Sequence, residues 1–266
     1  MGTGGSTRRR GNPRWIRSTA YWAYQYRRTW RGSITTSFLF PVLYLAAMGM
    51  GLGSLVSHHV RTVDGVSYLR FLAPGLLAAT AMQVGANESM YPVMGAMKWL
   101  RTYFAMLATP LTVRDVLHGH LAWIALRLSM VSVIFLSIMS AFGTVDRASA
   151  VLAVPAAVLL GMAFSTPMVA FAASQSSDVG FATVYRLVII PMFLFSGTFF
   201  PISQLPGWLQ MIARITPLYN GVTLCRGLVL GQLPALETGI HLSYLIGLLL
   251  LGLFLGDVSY RRKLLT

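Results

Sequence analysis

Acidic side chains are scarce. The 266-residue sequence holds 7 Asp and Glu against 21 Lys and Arg, and charged residues make up 11% of it. A water-soluble domain of ordinary composition carries about a quarter charged residues, so this chain cannot cover a water-facing surface. Lysine is scarcer still, present only at Lys98 and Lys263. Neither follows a glycine, which excludes the phosphate-binding loop, where glycine amides and a lysine cradle phosphate. Cys225 is the single cysteine, too few for an internal disulfide or a multi-cysteine zinc site. His58 and His59 sit in an expected outer loop, and His118 and His120 lie two apart, on different sides of a helix, so neither pair makes a metal site with the available carboxylates. There is no Gly-x-Ser-x-Gly elbow, and Gly49, Gly51 and Gly53 have no βαβ unit around them. A catalytic role is therefore not expected, and any ATP used must be bound by another chain.

What remains is apolar. Hydrophobic residues make up 55% of the sequence and the mean hydropathy is +0.64. A bilayer core takes about 20 apolar residues per helix, and backbone groups in lipid must bond within a helix or a closed barrel. The apolar runs are long rather than alternating, which predicts helices. Six spans are expected, near 33–56, 69–91, 119–142, 148–174, 181–200 and 239–256. A basic chain can signal nucleic acid, but here the cations follow the rule that cytoplasmic segments of membrane proteins are Lys/Arg-rich. Both termini and the 91–119 loop together carry fourteen Lys and Arg, and the opposite side carries five. That places both termini in the cytoplasm.

Three segments fall outside this pattern. Residues 14–31, after a basic flexible tail at 1–13, predict an interfacial helix: Trp15, Trp22, Tyr26 and Trp30 share a stripe, opposite Arg14, Arg17, Arg27, Arg28 and Arg31. Residues 98–109 predict a short cytoplasmic helix bounded by Pro110. Between the fifth and sixth spans, an apolar stretch broken by Pro201, Pro206, Pro217 and Pro234 predicts two short helices, 207–215 and 218–230. Neither is long enough to cross, so they are expected to form a re-entrant hairpin from the outer face. A cytoplasmic tail, 257–266, closes the chain.

Charges within spans are costly and mark structure or function. Glu88 and Arg127 are expected to pair across neighbouring helices near the cytoplasmic side, for structure or for gating. Gly49-x-x-x-Gly53 permits close helix contact or local flexibility.

Several of these segments resemble the ABC-2 type transporter permeases, in particular the nodulation-factor and daunorubicin exporter membrane subunits. The similarity rests mainly on FSGTFFPISQLPGWL at 195–209, then ITPLY at 215–219 and RGL at 226–228. It extends to FPVLYL at 40–45, Glu88 and KWLRTYFAMLATPL at 98–111. Tyr219-Asn220 departs from the small or His-containing pair of many members. The resemblance implies an exporter subunit for an amphipathic cargo: a lipid-linked saccharide, a glycolipid, or a hydrophobic drug or metabolite. It implies a bacterial inner-membrane location, a second permease copy (the same chain or a different one) joined through the first and fifth spans, and two ATP-binding subunits holding ATP and magnesium. The 98–109 helix would be the coupling helix, with Trp99, Tyr103, Phe104 and Met106 as apolar anchors and Lys98, Arg101 and Arg114 as the electrostatic fit. The 14–31 helix would gate entry. Ser196, Gly197, Pro201, Pro206, Trp208, Pro217 and Arg226 would shape the outer hairpin. Tyr44, Met48, Met82, Met192 and Phe195 are candidates to line the pathway. A self-sufficient channel or ion-coupled carrier is the rival reading, and a membrane-embedded enzyme the third.

Overall fold

A computed structural model describes residues 13–34, 39–47 and 65–265, and every element in them is helical. Most of the expected first span, together with Met48, Gly49, Gly53, His58 and His59, lies outside the described residues.

α1 runs Arg14–Ile34 and α2, a short helix, Phe40–Ala46. α3 spans Tyr68–Ser89 and continues through α4, Tyr91–Met94, into a π-helical turn at Gly95–Trp99. α5 is Thr102–Leu107 and α6 is Val113–Ala141. A 3₁₀ turn at Ala148–Leu152 leads into α7, Ala153–Ser174. α8, Val179–Val184, and α9, Ile190–Phe195, are joined by a π-helical turn at Tyr185–Ile189. α10 is Gly207–Ile215, α11 is Pro217–Leu230 and α12 is Ala235–Leu264.

Among the described residues, four helical stretches are long and apolar enough to cross a membrane: Tyr68–Trp99, Val113–Ala141, Ala148–Ser174 and Ala235–Leu264. They match the expected second, third, fourth and sixth spans, with three extensions, the first carrying Tyr68–Trp99 eight residues past the expected 91. α6 begins six residues before the expected 119, because Thr112 and Asp115 close a capping box: the Asp115 amide donates to Thr112 Oγ1 and the Thr112 amide to Asp115 Oδ2. α12 runs on through most of the expected tail, and its 30 residues extend about 45 Å at 1.5 Å per residue. A bilayer core is about 30 Å thick, so both long helices carry polar turns beyond it. The expected fifth span is shorter than 181–200: the helical stretch Val179–Phe195 reaches about 25 Å, and the chain turns at Gly197, whose φ of +81° favours glycine.

α7, free of charged residues, is the central helix and packs against α3, α6, α11 and α12. Its crossing with α3 depends on glycine: a Cβ on Gly85 would lie 2.6 Å from the Gly161 carbonyl oxygen. Lipid offers no hydrophobic drive between helices, so such close backbone packing supplies the contact. Leu236, Ile240, Leu250 and Phe254 of α12 point outward. In water they would form an aggregation-prone patch; against acyl chains they need no cover.

Candidate functional site

The polar chemistry gathers at the two ends of this bundle. At the end expected to be cytoplasmic, Tyr103 of α5, His120 of α6 and Tyr260 of α12 are each fully buried. The Tyr260 hydroxyl donates to the Tyr103 oxygen at 3.2 Å. The Tyr103 hydroxyl is also hydrogen-bonded to His120 Nδ1. Burial, and then Tyr260 beside it, hold the Tyr103 phenol well above its usual pKa. The Trp22 indole stacks on the His120 ring with centroids 4.1 Å apart. One buried node therefore joins α1, α5, α6 and α12.

A second link lies about two turns deeper along α6. Arg127 Nε donates to Glu88 Oε1 at 3.3 Å, and its Nη1 donates to the Tyr26 hydroxyl at 2.9 Å. The guanidinium also sits 4.5 Å from the Tyr26 ring centroid. The expected Glu88–Arg127 pair is present, and Tyr26 is a third member that ties α1 to it. Arg114 reaches Asp257 at 3.3 Å and ties the end of α12 to the start of α6, while Arg261, one turn on along α12, holds the same carboxylate at 3.0 Å.

This packing divides the aromatic stripe of α1. Trp22 is buried and Tyr26 packs on Trp123, while Trp15 and Trp30 stay exposed. The helix lies along α6 because Gly119 allows it: a Cβ there would come within 2.4 Å of Ser18 Cβ. Thr19 Oγ1 also donates to the Gly119 carbonyl at 3.0 Å. The arginines of α1 face away and are exposed.

The expected single helix at 98–109 is two pieces. The π-helical turn ends at Trp99 and α5 begins at Thr102, with Arg101 between them at φ +50°. That left-handed residue re-aims the chain. Trp99, Leu100 and Phe104 are left exposed, Lys98 and Met106 are half-buried, and Tyr103 turns inward. Tyr103 therefore does not share the exposed face expected of the anchors. Between this segment and α1 lies a cleft of about 300 Å³, walled by Tyr21, Tyr26, Tyr91, Trp99 and Trp123 with Glu88 among them.

At the other end, Arg226 Nε donates to the Phe71 carbonyl at 3.1 Å and Nη2 to the Gly197 carbonyl at 2.8 Å. Its guanidinium stacks 3.7 Å from the Phe71 ring centroid. Ser196 and Thr216 share a hydroxyl hydrogen bond at 2.9 Å, and Thr216 Oγ1 caps α11 by accepting from the Tyr219 amide. Pro217 occupies the first turn of α11, where its missing N–H costs nothing. Pro201 and Pro206 bound the loop before α10, and Trp208 is exposed with Met211, Ile212 and Ile215. Both expected short helices are present at these positions.

Of the pathway candidates, Met82 is fully buried in helix packing, Tyr44 and Met192 are half-buried and Phe195 is exposed. Several structural residues went unread. Asn220, buried, donates to the Arg214 and Thr216 carbonyls at 3.1 and 2.9 Å and pairs through Oδ1 with His241 Nδ1 at 2.7 Å. His120 lies seven residues before Arg127, on one helix face, and that register was a usable signal. Tyr260 had none, sitting in what composition marks as a tail. Among the described residues no cluster of three potential metal ligands occurs.

Four long apolar helices, closely packed and with an apolar exterior, define an integral, multi-pass membrane protein. Residues 18–230 match the ABC-2 type transporter family, and the chain belongs to it. It is similar to "Nodulation protein J" of Rhizobium meliloti (strain 1021), 34% identical over 233 residues covering 88% of this chain and 87% of the relative. Nodulation protein J of Rhizobium leguminosarum bv. trifolii is 35% identical over 260 residues, 96% and 95% of the two chains. The "Inner membrane transport permease YadH" of Escherichia coli (strain K12) is 21% identical over 204 residues, 77% and 79%.

Proposed function

We propose that this chain is the membrane-spanning, non-catalytic subunit of an ATP-driven exporter of an amphipathic molecule. The observation that carries the reading is the buried node at one end of the bundle. An exposed segment, 98–107, is joined through Tyr103 and His120 to Trp22 of α1. A force applied to that segment has a rigid path into the helix beside the membrane entrance. In this reading two copies span the inner membrane, each with six crossings, both termini in the cytoplasm, and α10 and α11 as a re-entrant hairpin at the outer exit. Two ATP-binding subunits hold ATP and magnesium and press on the coupling segment.

The aromatic cleft beside α1 fits the polar head of an amphipathic cargo. Its walls are apolar rings, and Glu88 is a polar group fixing orientation, the usual composition of ligand sites. Lipid-linked saccharides, glycolipids and hydrophobic metabolites share that amphipathic character, and one relative is an inner membrane transport permease.

The test is purification of the tagged chain from its native membranes in mild detergent, followed by an ATPase assay. A phosphate-loop subunit recovered in equal amount, with vanadate-sensitive hydrolysis, is the expected result. Cargo movement driven by an ion gradient in vesicles lacking any such subunit would overturn the reading in favour of a carrier.

A further inference from the structure

The last turn of α12 belongs to no part of the coupling scheme described so far, yet it lies against the coupling segment. Lys263 and Leu264 line a cavity of about 630 Å³ together with Met97, Lys98, Arg101 and Phe104. The wall thus carries three cations beside an exposed aromatic ring, and no carboxylate. Lys98, Arg101 and Lys263 have no ion-pair partner among the described residues. The nearest acid along α12, Asp257, is already held by Arg114 and Arg261. The turn is fixed in place: Tyr260 bonds to Tyr103, and Leu264 is buried while Lys263 stays exposed.

We infer that the ATP-binding subunit docks on a composite groove, half from the 97–104 segment and half from the C-terminal turn of α12, and that the groove selects a partner surface bearing carboxylates beside an apolar tip. The inference rests on the proposed exporter reading and adds the C-terminal turn to its interface. Two unpaired lysines and an arginine around an apolar floor are complementary to such a surface, steering encounter by charge and holding it by burial of Phe104. Because Tyr260 welds the turn to α5, docking on either half moves both.

The experiment uses the full chain in native membranes. A photo-crosslinking amino acid replaces Leu265, which is 69% exposed, and in a second variant Phe104; a control places it at Phe254 on the outward apolar face of α12. Adducts are identified by mass spectrometry through the phosphate-loop peptide of the captured subunit. Both Leu265 and Phe104 should crosslink to acidic peptides of that subunit, and Phe254 to lipid. In parallel, Lys263→Glu should lower recovery of the ATP-binding subunit on the order of tenfold, Lys263→Arg should preserve it, and 0.5 M salt should shrink the difference. Lys263 is exposed, so an unchanged thermal unfolding midpoint serves as the folding control. Crosslinking at Phe104 but only lipid adducts at Leu265, with Lys263→Glu at wild-type recovery, would overturn the composite groove and leave the exporter reading standing. No phosphate-loop subunit at either position would overturn both.

Discussion

Tyr103→Phe tests the buried node by removing one oxygen. In the native chain that oxygen accepts from Tyr260, and the hydroxyl is also hydrogen-bonded to His120 Nδ1, all three side chains being fully buried. The substitution keeps the ring and leaves the Tyr260 hydroxyl and His120 Nδ1 both unpaired. At about 1–3 kcal/mol for each of the two orphaned buried groups, the loss is roughly 2–6 kcal/mol. A chain of this size shifts its unfolding midpoint by about 2–4 °C per kcal/mol, so the fall should be roughly 4–24 °C. The assay is tryptophan fluorescence on heating in detergent, since Trp22 stacks on His120 and reports the site directly. The companion Tyr260→Phe is more discriminating. In the native background it removes a hydrogen bond and should destabilise. In the Tyr103→Phe background it removes an orphan and should be neutral or stabilising. A change of sign between backgrounds follows from the chain of hydrogen bonds and from nothing else in the packing. Equal destabilisation in both backgrounds, or a Tyr103→Phe midpoint within 1 °C of wild type, would refute the node.

Two further predictions concern how α1 is held. Arg127→Gln and Glu88→Gln should each destabilise, by about 3 kcal/mol where a partly buried charge loses its partner, and Glu88→Arg with Arg127→Glu should recover part of the loss. The recovery is partial because an arginine at 88 does not inherit the Tyr26 contact. A thermal-unfolding double-mutant cycle with zero coupling would dissolve the pair. Gly119→Val should push α1 off α6, because even a Cβ at 119 meets Ser18 Cβ at 2.4 Å. Trypsin cleavage at Arg27 and Arg28 should then accelerate while the α3–α7–α12 core stays resistant, and an unchanged cleavage rate would mean that α1 is held elsewhere.

The core of the fold was legible because lipid imposes one rule on every span: about 20 predominantly apolar residues with few charges. α3, α6, α7 and α12 obey it, and composition alone located them. The ends of those helices were not legible, because beyond the lipid the rule lapses. Asp257, Arg261 and Lys263 look like a soluble tail, yet α12 continues through them on contacts with Arg114 and Tyr103 that lie 143 and 157 residues away in sequence. The single helix expected at 98–109 failed for a local reason. Its composition is helical throughout, and the break comes from Arg101 adopting a left-handed backbone, for which arginine gives no signal. The stripe on α1 was read correctly as amphipathic, but periodicity does not tell a protein neighbour from a lipid surface. Gly119, unremarkable in sequence, decides that question. Glu88 and Arg127 were found because intramembrane charges are rare enough to seek each other.

The two polar ends are joined by one helix, and that yields a last prediction. His241 and Tyr260 both lie on α12, 19 residues apart, a separation of about 28 Å at 1.5 Å per residue. His241 pairs with Asn220 of α11, and Tyr244 donates to the Ile215 carbonyl; Tyr260 and Asp257 grip α5 and α6. A helix with intact backbone bonding is stiff over that length, so displacement at one end arrives at the other. Asn220→Leu removes the hairpin grip while filling similar volume. Its effect on stability should be roughly 2–6 kcal/mol, about 1–3 for each of the two groups that lose their partner, His241 Nδ1 and the Arg214 carbonyl; the Thr216 carbonyl keeps the backbone amide of residue 220. The telling measurement is the ATPase rate of the assembled transporter with and without cargo. If α12 transmits load, Asn220→Leu alters cargo stimulation of hydrolysis from the far side of the membrane. If it alters transport while stimulation stays at the wild-type value, the hairpin acts alone and α12 is a passive wall.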